Sequence, residues 1–142
     1  MLQRELIDST QIEDGVCLEL YRHGTDFMIV LGRNELMSTR MRFSEEQLAE
    51  LTIERLGKPD ARMLIGGYGM GFTYRAARAK LGDKAQIVIA EISDAIIDWA
   101  KGPMAALTDG CLDDKRVQLV FDDVGRVIAS NRGAYDGILL DV

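Results

Sequence analysis

The chain has 142 residues, of which 47% are hydrophobic and 28% charged, and a net charge of −6. It has the size of one domain able to bury a reasonable core, and the acidic balance argues against a nucleic-acid partner, whose phosphate backbone calls for a basic surface. No stretch approaches the roughly 18 consecutive apolar residues of a membrane span, and the first eight residues lack a signal-peptide core, so no membrane partner and a cytoplasmic location are expected.

Taken in order, residues 1 to 15 are mixed and polar and read as an arm of uncertain structure. From Val16 the pattern changes, because Val16, Leu18 and Leu20 alternate with Cys17, Glu19 and Tyr21 at the period of a half-buried strand. His23-Gly24-Thr25-Asp26 supplies a turn, Phe27 to Leu31 a second strand, Gly32-Arg33-Asn34 a second turn and Glu35 to Thr39 a third strand. These make a small antiparallel sheet, too small to be stable alone, and the first domain is drawn over residues 1–43. Arg33, Arg40 and Arg42 read as a solvated basic edge.

The second domain is drawn over residues 44–142. Ser44-Glu45-Glu46-Gln47 fits a capping box, and Leu48, Leu51 and Leu56 recur at helical spacing before Gly57 and Pro59 end the helix. Met63, Leu64 and Ile65 form a short apolar strand that runs into Gly66-Gly67-Tyr68-Gly69-Met70-Gly71, and a helix follows from about Phe72 to Leu81. Gln86 to Ala90 is a second buried strand ending in Glu91. Ser93 or Asp94 can cap a helix that holds Ile96, Ile97 and Trp99, and a short helical piece lies near Met104 to Leu107. Val117 to Phe121 is a third strand ending in Asp122-Asp123, Val124 to Ser130 a helix with Val127 and Ile128 inward, and Tyr135 to Leu140 a fourth strand ending in Asp141.

Strands alternating with helices imply an α/β fold with a parallel sheet and right-handed crossovers, beside the small N-terminal antiparallel sheet. In such sheets ligands sit beyond the carboxyl ends of the strands. The glycine turn, Glu91, Asp122-Asp123 and Asp141 all fall at that edge, so a ligand site is expected there. Its spacing speaks against a dinucleotide: Gly67 and Gly69 would put Phe72 where the third glycine of Gly-x-Gly-x-x-Gly belongs. Gly67-x-Gly69-x-Gly71 is the pattern of S-adenosylmethionine-binding folds, and Glu91 is placed to hold a ribose diol by charge-assisted hydrogen bonds. Cys17 and Cys111 lack metal-type spacing and His23 is the only histidine, so no metal is expected and a catalytic triad has no raw material.

With these features in order, the chain from about Phe27 onward resembles the spermidine synthase family, the polyamine aminopropyltransferases, within the wider S-adenosylmethionine-dependent methyltransferase fold. The resemblance rests on Ile65-Gly66-Gly67-Tyr68-Gly69-Met70-Gly71, on Glu91-Ile92, on Asp113-Asp114-Lys115-Arg116-Val117, on Asp122-Asp123 and on Tyr135-Asp136-Gly137-Ile138-Leu139-Leu140-Asp141. It implies a Rossmann-like parallel sheet in the strand order 3-2-1-4, and that the glycine turn, Glu91 and Ile92 bind the donor, S-adenosylmethionine or its decarboxylated form. It also implies that Asp123, next to Asp122, meets the adenine and that Asp141 is the catalytic base for a small amine acceptor.

The departures from the family lie on the acceptor side. Gly69 stands where the family's loop carries an aspartate, Phe43 to Leu48 holds no Tyr-His-Glu, and the second acid would fall beyond Val142. Donor binding is thus expected to be retained and acceptor recognition altered. A complete fold of this class has about seven strands, so the expectation is either a fragment or a sheet face covered by another subunit, and a homo-oligomer in isolation. A transferase moving an alkyl (aminopropyl) group is the leading expectation. A small-molecule methyltransferase and a non-catalytic nucleoside-binding or assembly module are the alternatives.

Overall fold

A computed structural model describes residues 3–40 and 42–140. The chain divides into two compact units, Met1–Arg42 and Phe43–Val142.

The first unit is a four-stranded antiparallel sheet of β1 (Glu5–Gln11), β2 (Cys17–His23), β3 (Asp26–Leu31) and β4 (Asn34–Ser38), hydrogen-bonded in that order. Leu18 and Leu20 on β2 are buried, as their alternation demands. The arm expected over residues 1 to 15 is corrected: its middle is the strand β1, paired along β2 from Glu5 opposite Arg22 to Gln11 opposite Cys17. The register slips between Leu6 and Asp8, and this bulge breaks the two-residue period by which a strand is recognised. Most of β1 is also exposed, so its sequence carries no apolar face.

The second unit alternates helices and strands: α1 (Phe43–Leu56), β5 (Arg62–Gly66), α2 (Phe72–Lys80), β6 (Gln86–Ala90), α3 (Asp94–Lys101), α4 (Ala105–Thr108), β7 (Val117–Val120), α5 (Val124–Ser130) and β8 (Gly137–Leu140). The four strands are parallel in the order β7-β6-β5-β8, which is the expected 3-2-1-4. Period-2 geometry sorts their side chains onto two faces. Leu64, Val88 and Ala90 form one apolar cluster with Val127 of α5, joined by Val120, Val124, Ile128 and Tyr135. Met63, Ile65, Ile87, Ile89 and Leu139, the alternate positions, are buried on the other face.

α1 packs against α2. It begins at Phe43, one residue ahead of the expected Ser44, and its buried residues are Ala49 and Ile53, whereas Leu48 and Leu51 stand exposed. The leucines share the helical period, but the small Ala49 side chain lies on the inward stripe. α3 buries Ile96, Ile97, Trp99 and Ala100, so one amphipathic helix supplies the largest side chain of the core.

Candidate functional site

The polar features of the second unit gather where the parallel strands end. Gly66 closes β5, and the turn that follows is tied to the next strand by Gly67 N–H donating to the Ala90 carbonyl at 2.8 Å. Glu91, one residue beyond β6, is only 7% exposed. Its Oε1 accepts the Tyr68 backbone amide at 2.9 Å and its Oε2 the Ser93 backbone amide at 2.9 Å. The Glu91 amide in turn donates to the Val120 carbonyl at 2.9 Å, which joins β6 to β7. One carboxylate thus spans the glycine turn and the start of α3. Each carboxylate oxygen has two acceptor sites and uses one of them in these bonds.

The glycines have separate physical reasons. Gly67 and Gly71 adopt φ values of 88° and 82°, the left-handed region that a side chain resists. Gly66 is needed for packing: a Cβ there would lie 2.8 Å from Val124 Cγ2 and 3.1 Å from Leu140 Cδ2. At Gly71 a Cβ would strike Arg75 Nη1 and would lie 2.5 Å from the Tyr68 hydroxyl. Gly66, Gly69 and Gly71 are buried and Gly67 is half-buried.

Tyr68 does not present its ring to the rim. It is 1% exposed and points inward, where its hydroxyl receives Arg75 Nη1 at 3.3 Å and lies 3.8 Å from Cys111 Sγ. Burial, helped by the nearby Cys111 thiol, pushes the Tyr68 hydroxyl up to about 12, so it keeps its proton at neutral pH. Tyr74 lies beside it, ring centroids 6.4 Å apart, and its hydroxyl donates to the Cys111 carbonyl at 2.6 Å. Arg75 leans over the Phe72 ring at 5.0 Å, and its Nη2 is buried with no hydrogen-bond partner among the described residues.

At the same edge, Ile92 is 74% exposed beside Glu91. Of the two expected cap candidates, Ser93 and Asp94, Ser93 takes the N-cap position of α3, without a side-chain cap bond. Asp123 caps α5, its Oδ2 accepting the Arg126 amide at 3.2 Å, and Asp122 Oδ1 accepts the Asp123 amide at 2.8 Å. The glycine turn, Glu91, Ile92 and Asp122-Asp123 are therefore brought to the carboxyl ends of three adjacent strands. Asp141, the expected base, lies outside the described residues.

The segment Asp113 to Val117 serves the scaffold. Asp114 accepts Arg78 Nε from α2 at 2.7 Å, Arg116 Nη2 at 2.7 Å and the Arg116 amide at 2.9 Å. Arg116 Nη1 donates to the Leu81 and Gly82 carbonyls at 3.0 and 3.1 Å, satisfying groups at the end of α2. The Arg116 and Arg78 guanidiniums hold the Asp114 carboxyl well below the usual range. Sequence reasoning missed Arg75, whose partner Tyr68 lies seven residues back across the glycine turn, and Arg78, whose partner Asp114 lies 36 residues further on. No group of three or more His, Cys, Asp or Glu side chains suited to a metal occurs among the described residues. No helix among them is long and apolar enough to cross a membrane.

Strand, glycine turn and helix in a 3-2-1-4 parallel sheet, with a buried acid at the end of the second strand, define a Rossmann-like α/β domain with a small β-sheet unit before it. No family model matches the chain. Curated relatives do: it is 34% identical over 98 residues to the polyamine aminopropyltransferase of Saccharolobus solfataricus, covering 68% of this chain and 32% of that protein. It is 29% identical over 96 residues to polyamine aminopropyltransferase 1 of Pseudomonas aeruginosa, covering 68% of this chain and 33% of the relative. The fold is that of the spermidine synthase from Thermotoga maritima, with a TM-score of 0.79 at 19% identity over 96% of this chain and 47% of that one. A spermidine synthase in complex with the transition state analogue AdoDATO matches with a TM-score of 0.80, also at 19% identity. The chain belongs to the spermidine synthase, or polyamine aminopropyltransferase, family. It spans about a third of the length of the curated relatives it matches.

Proposed function

We propose that the rim formed by the glycine turn, Glu91, Ile92 and Asp122-Asp123 binds an adenosine-bearing sulfonium donor, S-adenosylmethionine or its decarboxylated form. The chain serves the transfer of an alkyl group, aminopropyl in the family's version, to a small amine. The carrying observation is Glu91: a nearly buried carboxylate fixed by two backbone amides, with one acceptor site left on each oxygen for the two ribose hydroxyls. Ile92 offers an exposed apolar face for the purine, and Asp123, with Asp122 beside it, offers acceptors for the exocyclic amine. Gly66, Gly67, Gly69, Gly71 and the Tyr68 backbone let the chain pass close beneath the sugar. The relatives' names and the analogue held by one solved neighbour support the same donor class.

In the transfer, the acceptor nitrogen forms a bond to the carbon next to sulfur. The carbon–sulfur bond breaks with its electron pair left on sulfur, which becomes a neutral thioether. The proton shed by the nitrogen passes to a carboxylate, the role proposed for Asp141. Holding donor and acceptor in line supplies most of the acceleration. Calorimetric titration with methylthioadenosine, S-adenosylmethionine and the decarboxylated donor tests the reading, because all three share the nucleoside. Absence of binding by any of them rejects it.

A second reading, methyl transfer from S-adenosylmethionine, has one observation in its favour. The glycine turn has the cation Arg75 beneath it, residues 66–71 include no acid, and the neighbouring carboxylate, Glu91, is assigned to the ribose in this reading. A donor tail ending only in an ammonium gains nothing from such surroundings, whereas one that carries a carboxylate does. Preference for the carboxylated donor over the decarboxylated one in that titration selects this reading.

A further inference from the structure

We infer that Tyr68 is a positioning residue, a peg beneath the glycine turn that sets the turn's backbone for the donor without touching it. The inference rests on the nucleoside reading of the rim. Three observations join at this residue. Its amide is held by Glu91 at 2.9 Å, its carbonyl accepts the Gly71 amide at 2.8 Å, and its ring is buried below the turn with the hydroxyl bonded to Arg75.

Gly71 lies so close above this side chain that a Cβ would be 2.6 Å from Tyr68 Cζ. The ring therefore fills the space under the turn, and the left-handed φ of 82° at Gly71 is the conformation that lets the chain pass over it. Glu91 reads this arrangement directly. If the peg is withdrawn, the Tyr68 amide is free to move away from Oε1, and the carboxylate loses one of the two bonds that orient it. A shift of about 1 Å in such a supporting group is enough to cost binding and rate severely. Arg75 acts one step further back: it holds the hydroxyl, and its stem comes from the first turn of α2, so the helix and the turn are locked together.

The experiment compares wild type, Tyr68→Phe, Tyr68→Ala, Arg75→Gln and the Phe/Gln double variant of the 142-residue chain. Calorimetry with methylthioadenosine reads affinity, hydrogen exchange without ligand reads the turn, and thermal melting checks the fold. Tyr68→Phe keeps the ring and covers the case in which Tyr68→Ala fails to fold. The expected loss of affinity is roughly three- to tenfold for Tyr68→Phe and for Arg75→Gln, the size of one hydrogen bond. The double variant should be no worse than either alone, because Arg75 acts through the hydroxyl. Exchange at the Tyr68 and Gly71 amides should rise roughly tenfold in the variants, while the Leu64 and Val88 amides of the sheet stay unchanged. Folded variants with wild-type affinity and wild-type exchange in the turn overturn the inference, as do losses that simply add in the double variant. If wild type binds no methylthioadenosine, it is the nucleoside reading that fails, and the exchange data still decide whether Tyr68 fixes the turn.

Discussion

Glu91 Oε1 accepts the backbone amide of Tyr68 at 2.9 Å, joining the acid at the end of β6 to the turn at the end of β5. The bond makes the two strongest sequence features of the chain one unit. Glu91→Gln keeps the shape but turns an amide nitrogen toward one of the two backbone donors. A loss of about 1–3 kcal/mol in stability by denaturant titration is expected, the cost of a buried donor left unsatisfied.

Gly66 is constrained by packing on the α5 face. Gly66→Ala pushes a methyl group to 2.8 Å from Val124 Cγ2, on a short β-branched side chain that cannot swing away. Overpacking of this kind costs about 1–3 kcal/mol, and the melting temperature should fall by several degrees. Coupling Val124→Ala to the change should recover part of the loss, since it removes the opposing methyl groups.

The Asp114 brace makes stability depend on acid. Its guanidinium partners depress the folded-state carboxyl below the ordinary value of 3.8, so the unfolded chain takes up the proton first as pH falls. The stabilisation is complete above about pH 5 and drains away as pH drops through 4 and below. Asp114→Asn should lower stability at pH 7 by about 2 kcal/mol and flatten the acid limb of a denaturation series run between pH 6 and 2.

Asp123 has a measurable duty in the absence of any ligand, the N-cap of the seven-residue helix α5. Asp123→Ala should cost about 1 kcal/mol of stability, and Asp123→Asn should restore most of it, since asparagine caps comparably. The same pair separates duties: if the adenine amine needs this residue, the alanine variant also loses methylthioadenosine affinity.

The parallel sheet was legible because its strands announce themselves, and its order because the family resemblance carries one. Met63 to Ile65, Gln86 to Ala90 and Val117 to Val120 are short apolar runs separated by helical pattern, and a doubly wound sheet follows from that alternation. β1 was hidden for a physical reason, since a bulge between Leu6 and Asp8 destroys its period and neither face is buried. The inward stripe of α1 was obscured by Leu48 and Leu51, which share its period yet stand in solvent. At the rim, the residue types were visible but their contacts were not. Nothing local in the sequence says that Tyr68 turns inward to Arg75, or that Asp114 finds Arg78, 36 positions away.

The most direct test of a nucleoside site organised by Glu91 is calorimetric titration of wild type and Glu91→Ala with methylthioadenosine, at a temperature where both are folded. One saturable site in wild type, weakened by roughly ten- to a hundredfold in the variant, is the result expected from losing two charge-assisted hydrogen bonds. Binding that is absent from wild type, or that is equally tight without the Glu91 carboxylate, contradicts the account.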